Sequence, residues 1–210
     1  MASATFPILR PGIMRTKVAI VLLLAGCTPS GRIERFPDTI QSNSYSCGVG
    51  AVQAVLQYYG HWGYQDGYAK EMGTSPEEGT NPASMVACLR RRGLDARVVE
   101  GLTTEDLRRH VDEGVPVIVD FQAWNGEANH DYSREWEDGH YGVVVGYEGD
   151  VFLIEDPSLL GTLGTLRADE LERRWRDYEN EAGGKRREYV RSGIIVRGQA
   201  GPPPPLSPIE

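Results

Sequence analysis

A chain of 210 residues, 40% hydrophobic and 25% charged, suits one soluble globular domain with a substantial core plus tails. Its formal net charge of −8 argues against nucleic-acid binding, which needs a basic surface. The three cysteines, Cys27, Cys47 and Cys88, are too few and too scattered for a disulfide framework or a zinc site. None of the four histidines, His61, His110, His130 and His140, pairs with another at metal-ligand spacing, so no metal or cofactor is expected.

Residues 1–26 read as an export signal. Arg10, Arg15 and Lys17 flank Val18 to Ala25, an apolar run too short to span a bilayer. The run ends in Leu24-Ala25-Gly26-Cys27, which resembles a bacterial lipobox. That resemblance implies cleavage before Cys27, lipid on its sulfur, and an exported, membrane-anchored lipoprotein. A plain signal peptide or a buried strand is the alternative. Met14 opens a complete short signal of its own and is a candidate start. Residues 27–34 read as a tether, 35–197 as the domain, and 198–210, with its run of prolines, as a tail unable to build a core.

The next stretch, QSNSYSCGVGAVQAVLQYYG, is a polar, turn-prone run feeding a helix that starts at Cys47 and stops at Gly60. A thiol at a helix start meets the positive end of the macrodipole, which favours the reactive thiolate. The other reading of Cys47 is a small apolar core residue. Short helices are predicted around Gln65 to Glu71 and from Asn81-Pro82 to Gly93. Cys88 sits mid-helix as core. A strand follows over Ala96 to Val99, then a helix capped by Thr103 or Thr104 that ends at Gly114. Val115 to Phe121 is rich in β-branched residues and reads as a buried strand. The segment from Gln122 to Gly139 has no clear period, and long irregular segments in compact domains are often functional.

His140 to Tyr147 reads as a strand, turned at Glu148-Gly149-Asp150 into a return strand, Val151 to Glu155. Asp156-Pro157 closes it. Beyond lie a Gly- and Leu-bearing loop, a helix over Ala168 to Tyr178 and a solvated turn at Gly183 to Arg187. A last strand is expected over Tyr189 to Val196.

The hairpin brings His140 and Asp156 to one edge of the sheet, where the carboxylate can hold one ring nitrogen while the other faces a nucleophile. Cys47 is the well-placed candidate, giving cysteine–histidine–carboxylate chemistry. Gln41 and the Cys47 backbone N–H are candidate oxyanion donors. Gln122, Trp124 and Trp136, in the segment leading to His140, are placed on the wall of the substrate cleft. His140 alone would read as a structural strand histidine and Asp156-Pro157 alone as a turn; the joint placement is what points to catalysis.

Gln41-x5-Cys47-Gly48, His140-Tyr141 at a strand start and Asp156-Pro157-Ser158 together resemble the bacteriocin-processing, double-glycine peptidases, cysteine peptidase family thirty-nine. The resemblance covers about Gln41 to Tyr178 and is nearest to stand-alone members. It departs from many members in having Ser46 before the cysteine, and from transporter members in lacking a GxxxxGK[ST] loop. It implies an α+β, papain-like fold, with the Cys47 helix packed on an antiparallel sheet. It also implies Cys47 as nucleophile, His140 as base, Asp156 as orienting group and Gln41 as oxyanion donor. The expected function is hydrolysis of peptide or amide bonds, with a peptide or protein substrate and no cofactor. The alternatives are transfer of the same acyl group to an amine, and a non-catalytic binding lipoprotein.

Overall fold

The structure, a computed structural model, describes residues 1, 28–127, 130–181 and 184–202. The signal and Cys27 therefore lie outside the described residues, as does the tail from residue 203.

Three helices come first: α1 (Cys47–Tyr58), α2 (Gln65–Met72) and α3 (Pro82–Arg91). Asn81 caps α3 through its side chain with proline at the first turn, as expected of Asn-Pro. The strand β2 (Asp95–Val99) and helix α4 (Thr104–Asp112) follow. Thr103 and Asp106 close a reciprocal capping box on α4. Then come β3 (Val117–Gln122), β4 (Gly139–Glu148), β5 (Val151–Glu155) and β6 (Gly164–Arg167). The strand order is β2-β9-β3-β4-β5-β6, where β9 is Gly193–Arg197, and every pairing is antiparallel.

Both faces of this sheet are covered. Ile118, Val143, Val145, Ile194 and Val196 pack with α1, α2 and α3. Their alternating neighbours, such as Val117, Val119, Val144 and Ile195, pack with α4 and with α5 (Ala168–Arg174). Burial on two faces explains why β3 and β4 read as nearly continuous apolar runs. The helix α1 contributes Val49, Val52, Val55 and Leu56, all fully buried. Each contributes roughly 1.5–3 kcal/mol by area, so α1 is held by packing on the sheet.

The structure differs from the sequence reading at four places. The stretch 28–34 is not simply a tether: β1 (Ser30–Arg32) pairs with the end of β4, and Ile33 is buried in the core. The helix expected over Ala168 to Tyr178 stops at Arg174, because Trp175 turns inward at its end. Trp175 is 1% exposed and its indole N–H donates to the Ser192 carbonyl at 2.7 Å. The chain then runs as β7 (Arg176–Glu181), paired with β8 (Lys185–Val190) where a solvated turn was expected. Finally, the strand expected over Tyr189 to Val196 breaks at Arg191, whose φ of 50° is incompatible with a continuous strand.

Candidate active site

The start of α1 is pressed against the loop that closes β5. A side chain at Gly50 would come within 2.7 Å of Pro157, and one at Gly48 within 2.8 Å of Thr80 and 3.2 Å of Tyr141. The Cys-Gly-Val-Gly sequence thus lets the first turn of α1 seat Cys47 close to β4 and to Asp156-Pro157. The approach segment is pinned to the same place. Thr39 donates its backbone N–H to the buried Glu155 carboxylate at 2.7 Å, and the Gln41 N–H donates to the Pro157 carbonyl at 2.8 Å.

His140 near the start of β4 and Asp156 after β5 meet as the hairpin requires. His140 Nε2 lies 2.7 Å from Asp156 Oδ1, and both residues are buried. Asp156 also accepts from the Ser158 backbone N–H at 2.8 Å and from the Trp124 indole N–H at 3.1 Å. Phe121 meets the imidazole edge-on with centroids 5.6 Å apart, and Trp124 does so at 6.3 Å. With Nε2 engaged by Asp156, Cys47 is the other side chain close enough to the ring to influence its titration. Burial alone would lower the His140 pKa. Hydrogen bonds with Asp156 and Cys47, and the charges of both, outweigh it and raise the pKa to about 9.

Gln41 lies at the edge of this group. Its Nε2 donates to the Asn43 carbonyl at 2.8 Å, and its Oε1 accepts from Ser158 Oγ at 3.2 Å. An oxyanion could draw on that Nε2 only if the Asn43 contact were exchanged. The Cys47 backbone N–H, at the first residue of α1, has no acceptor within its own helix.

A cavity of about 480 Å³ opens beside Cys47. Trp136 lines it, and so do Tyr178, Glu179 and Tyr189 of the β7–β8 hairpin. Trp124 instead covers Asp156 and borders a second cavity of about 490 Å³. Gln122 is fully buried and does not reach the Cys47 cavity: its Nε2 donates to the Arg176 carbonyl at 3.0 Å, and its Oε1 accepts from the Asp138 N–H at 2.8 Å. It fastens the neck of the 122–139 loop to β7. A glutamine at a strand end gives no sequence signal that separates this role from a cleft role.

Sequence reasoning missed the acidic lining of the cavity beside Cys47. Glu77, Glu78, Asp120, Glu137, Asp177 and Glu179 line it, and no lysine or arginine does among the described residues. Burial raises the Asp120 carboxyl well above its ordinary value and pushes Asp177 up to about 6. A lone aspartate inside the apolar run Val115 to Phe121 was the available signal for Asp120.

A helix that opens on a cysteine, packed on an antiparallel sheet carrying a buried histidine–aspartate pair, is the architecture of the papain-like cysteine peptidase class. Residues 33–183 match the model of the Peptidase_C39 like family, and the chain belongs to that family of cysteine peptidases. Three solved structures share the fold. A double glycine motif protease from an AMS/PCAT transporter, in complex with the leader peptide, is 21% identical with a TM-score of 0.56, over 79% of this chain and 93% of that one. The peptidase domain of Streptococcus ComA, a bifunctional ABC transporter involved in quorum sensing, is 18% identical with a TM-score of 0.56, over 78% and 99%. A C39-like peptidase from Bacillus anthracis is 16% identical with a TM-score of 0.58, over 82% and 99%. At these identities the likeness shows the fold alone. No curated protein matches the sequence.

Proposed function

We propose that this peptidase cleaves peptide bonds with Cys47 as nucleophile, His140 as general base and acid, and Asp156 as the group that orients the imidazole. The observation that carries this reading is the 2.7 Å contact between the buried His140 and Asp156 side chains, with Cys47 close enough to influence the ring's titration. His140 takes the thiol proton, and the thiolate attacks the carbonyl carbon. The oxyanion is met by the Cys47 N–H and by the Gln41 amide once it leaves Asn43. The imidazolium gives its proton to the departing amine. Water, deprotonated by His140, then attacks the thioester; the acid leaves and the Cys47 sulfur regains its proton. In the free site, a pKa raised to about 9 favours the imidazolium at neutral pH, the form that pairs with a Cys47 thiolate.

The substrate is a peptide, as in the neighbour solved with a leader peptide. The carboxylates around the Cys47 cavity favour a segment carrying lysine or arginine beside the scissile bond. The protein is further proposed to be an exported lipoprotein anchored through Cys27, on the strength of the LAGC run; intact mass of membrane-associated protein showing an unmodified Cys27 would refute this. Among the described residues no helix is long and apolar enough to cross a membrane.

The decisive experiment is peptide-library cleavage with wild type, Cys47→Ala, His140→Ala and the double variant, folding being checked by thermal melt. Cys47→Ala should abolish turnover, His140→Ala should be nearly as severe, and the double variant should be hardly worse than either, because the groups act as a unit. A folded Cys47→Ala that cleaves at the wild-type rate would overturn the assignment.

A further inference from the structure

The loop between β3 and β4 carries a second cluster of side chains that peptide hydrolysis does not use. One ring nitrogen of His130 and one carboxylate oxygen each of Glu135 and Asp138 all lie within 4.8 Å of one another. His130 Nε2 is buried and has no hydrogen-bond partner, although Glu135 Oε2 stands 3.4 Å away. The Asn125 amide lies against the same cluster: its Nδ2 donates to Asp138 Oδ2 at 2.7 Å, while its Oδ1 is buried without a partner. Two buried polar atoms without a hydrogen bond at one place are a costly arrangement unless a further group belongs there.

From this geometry we infer a divalent-cation site of the zinc or manganese type, formed by His130, Glu135 and Asp138. Bonds of about 2.1 Å from imidazole and carboxylate to such an ion place tetrahedral ligand atoms about 3.4 Å apart, which is the separation found between His130 Nε2 and Glu135 Oε2. The surroundings suit the assignment. His130 Nδ1 faces Glu127 Oε2 at 3.5 Å, so a carboxylate stands behind the ring as an outer partner. Glu135 Oε1 accepts the Trp136 and Glu137 N–H groups, both at 2.8 Å, which leaves Oε2 for the ion. Asn125 holds Asp138 by one carboxylate oxygen and frees the other. One imidazole and two carboxylates are a donor set for zinc or manganese rather than for calcium, which takes oxygen ligands only.

The site sits where it can act on the peptidase cleft. Its ligands span the loop whose neck is closed by the Ala123 N–H on the Asp138 carbonyl at 2.9 Å. That loop carries Trp124 over Asp156 and Trp136 in the wall of the Cys47 cavity. An ion joining residues 130, 135 and 138 would fix the loop, and with it the indole that holds Asp156.

The test uses the full chain carrying Cys47→Ser, so that the thiol and His140 do not bind metal themselves. The protein is stripped with a chelator and titrated with zinc chloride, manganese chloride and calcium chloride by calorimetry, with tryptophan fluorescence recorded in parallel. We expect one equivalent of zinc or manganese to bind with a change in tryptophan emission. His130→Ala and Asp138→Ala should each abolish that binding without a change in fold, and Asn125→Ala should weaken it about 10- to 100-fold, as loss of an outer partner does. Absence of saturable binding of either ion, or binding unchanged in His130→Ala and Asp138→Ala alike, would overturn the site. Neither result bears on the peptidase reading.

Discussion

Trp124 donates its indole N–H to Asp156 Oδ2 at 3.1 Å from a backbone held at φ 64°, in the left-handed region that a bulky residue rarely adopts. An observed outlier of this kind points to a functional constraint. Here the backbone twist sets the indole over the carboxylate that orients His140. We expect Trp124→Phe, which keeps an aromatic cover but loses the donor, to lower turnover about tenfold, the worth of one charge-assisted hydrogen bond. Asp156, relieved of a donor, should hold the imidazolium more strongly, so the alkaline limb of the pH–rate profile should move up. Steady-state kinetics from pH 6 to 10 checks both.

The limb itself follows from His140. On the proposed mechanism, its folded pKa of about 9 means that the acid for the leaving amine is lost as pH rises through that value. Activity should therefore fall on the alkaline side near pH 9. Asp156→Asn removes the charge that supports the imidazolium, so the limb should move down while the ring stays oriented. Opposite movements in Trp124→Phe and Asp156→Asn would tie both residues to one histidine. A limb unmoved in both would assign it to another group.

The two cysteines of the folded domain should react very differently. Cys88 is fully buried in α3, and burial pushes its thiol up to about 11. Cys47 is partly exposed and lines a cavity of about 480 Å³. Iodoacetamide at pH 7.5 should label Cys47 at least ~100-fold faster than Cys88, since alkylation follows thiolate fraction and access. Peptide mapping after brief exposure reads the ratio directly.

Much of this arrangement was legible because it rests on local chemistry. Cys47 opens a helix whose apolar spacing is unambiguous, and a two-strand hairpin must bring His140 and Asp156 together whatever packs around them. The β7–β8 hairpin was not legible, for a physical reason. Leu171, Trp175 and Tyr178 fit helical spacing, while RDYENE and KRREYV are too charged to resemble strands. Their pairing depends on contacts between strands that are distant in any periodicity: Arg186 lies over the Tyr178 ring at 3.7 Å, and the Tyr189 hydroxyl donates to Glu179 at 2.6 Å. The acidic wall of the cavity was missed with it, because Asp177 and Glu179 reach the cleft only when that segment is a strand. Gln122 was misplaced for a related reason: its partners, Arg176 and Asp138, come from two separate segments.

Stability should fall as pH rises. Glu155 is 2% exposed, and burial pushes its carboxyl from 4.5 up to about 7 against two hydrogen bonds from Thr39. Between those values the folded state retains a proton that the unfolded state has released, so stability is lost across that window and is flat above it. Asp177, raised to about 6, and His140, raised to about 9, act with the same sign over their own windows. Glu155→Gln keeps an oxygen for the Thr39 N–H and cannot ionise. It should flatten the slope between pH 5 and 7 and stabilise the fold at pH 8 by on the order of 1–2 kcal/mol. Thermal melts across this range test it, and an unchanged slope would show that Glu155 is not the group responsible.

Gln41 separates two ways of making the oxyanion hole. Its Nε2 is held by the Asn43 carbonyl at 2.8 Å, so it serves an oxyanion only by leaving that acceptor. The exchange is favourable as charge develops, because a hydrogen bond to an anion is roughly twice as strong as one to a neutral carbonyl. On this account Gln41→Ala should lower turnover by about 10² to 10³ with the Michaelis constant little changed, as expected for a contact made only in the transition state. Gln41→Glu should be at least as damaging, since it places an acceptor and a charge where a donor is needed. Ser158→Ala provides the control. It removes the hydroxyl that donates to Gln41 Oε1 at 3.2 Å, but leaves the donor itself in place, so its effect should be small. If Gln41→Ala is instead silent while Cys47→Ala remains dead, the peptidase mechanism stands. The oxyanion is then met by backbone N–H groups at the start of α1, which lack acceptors within the helix.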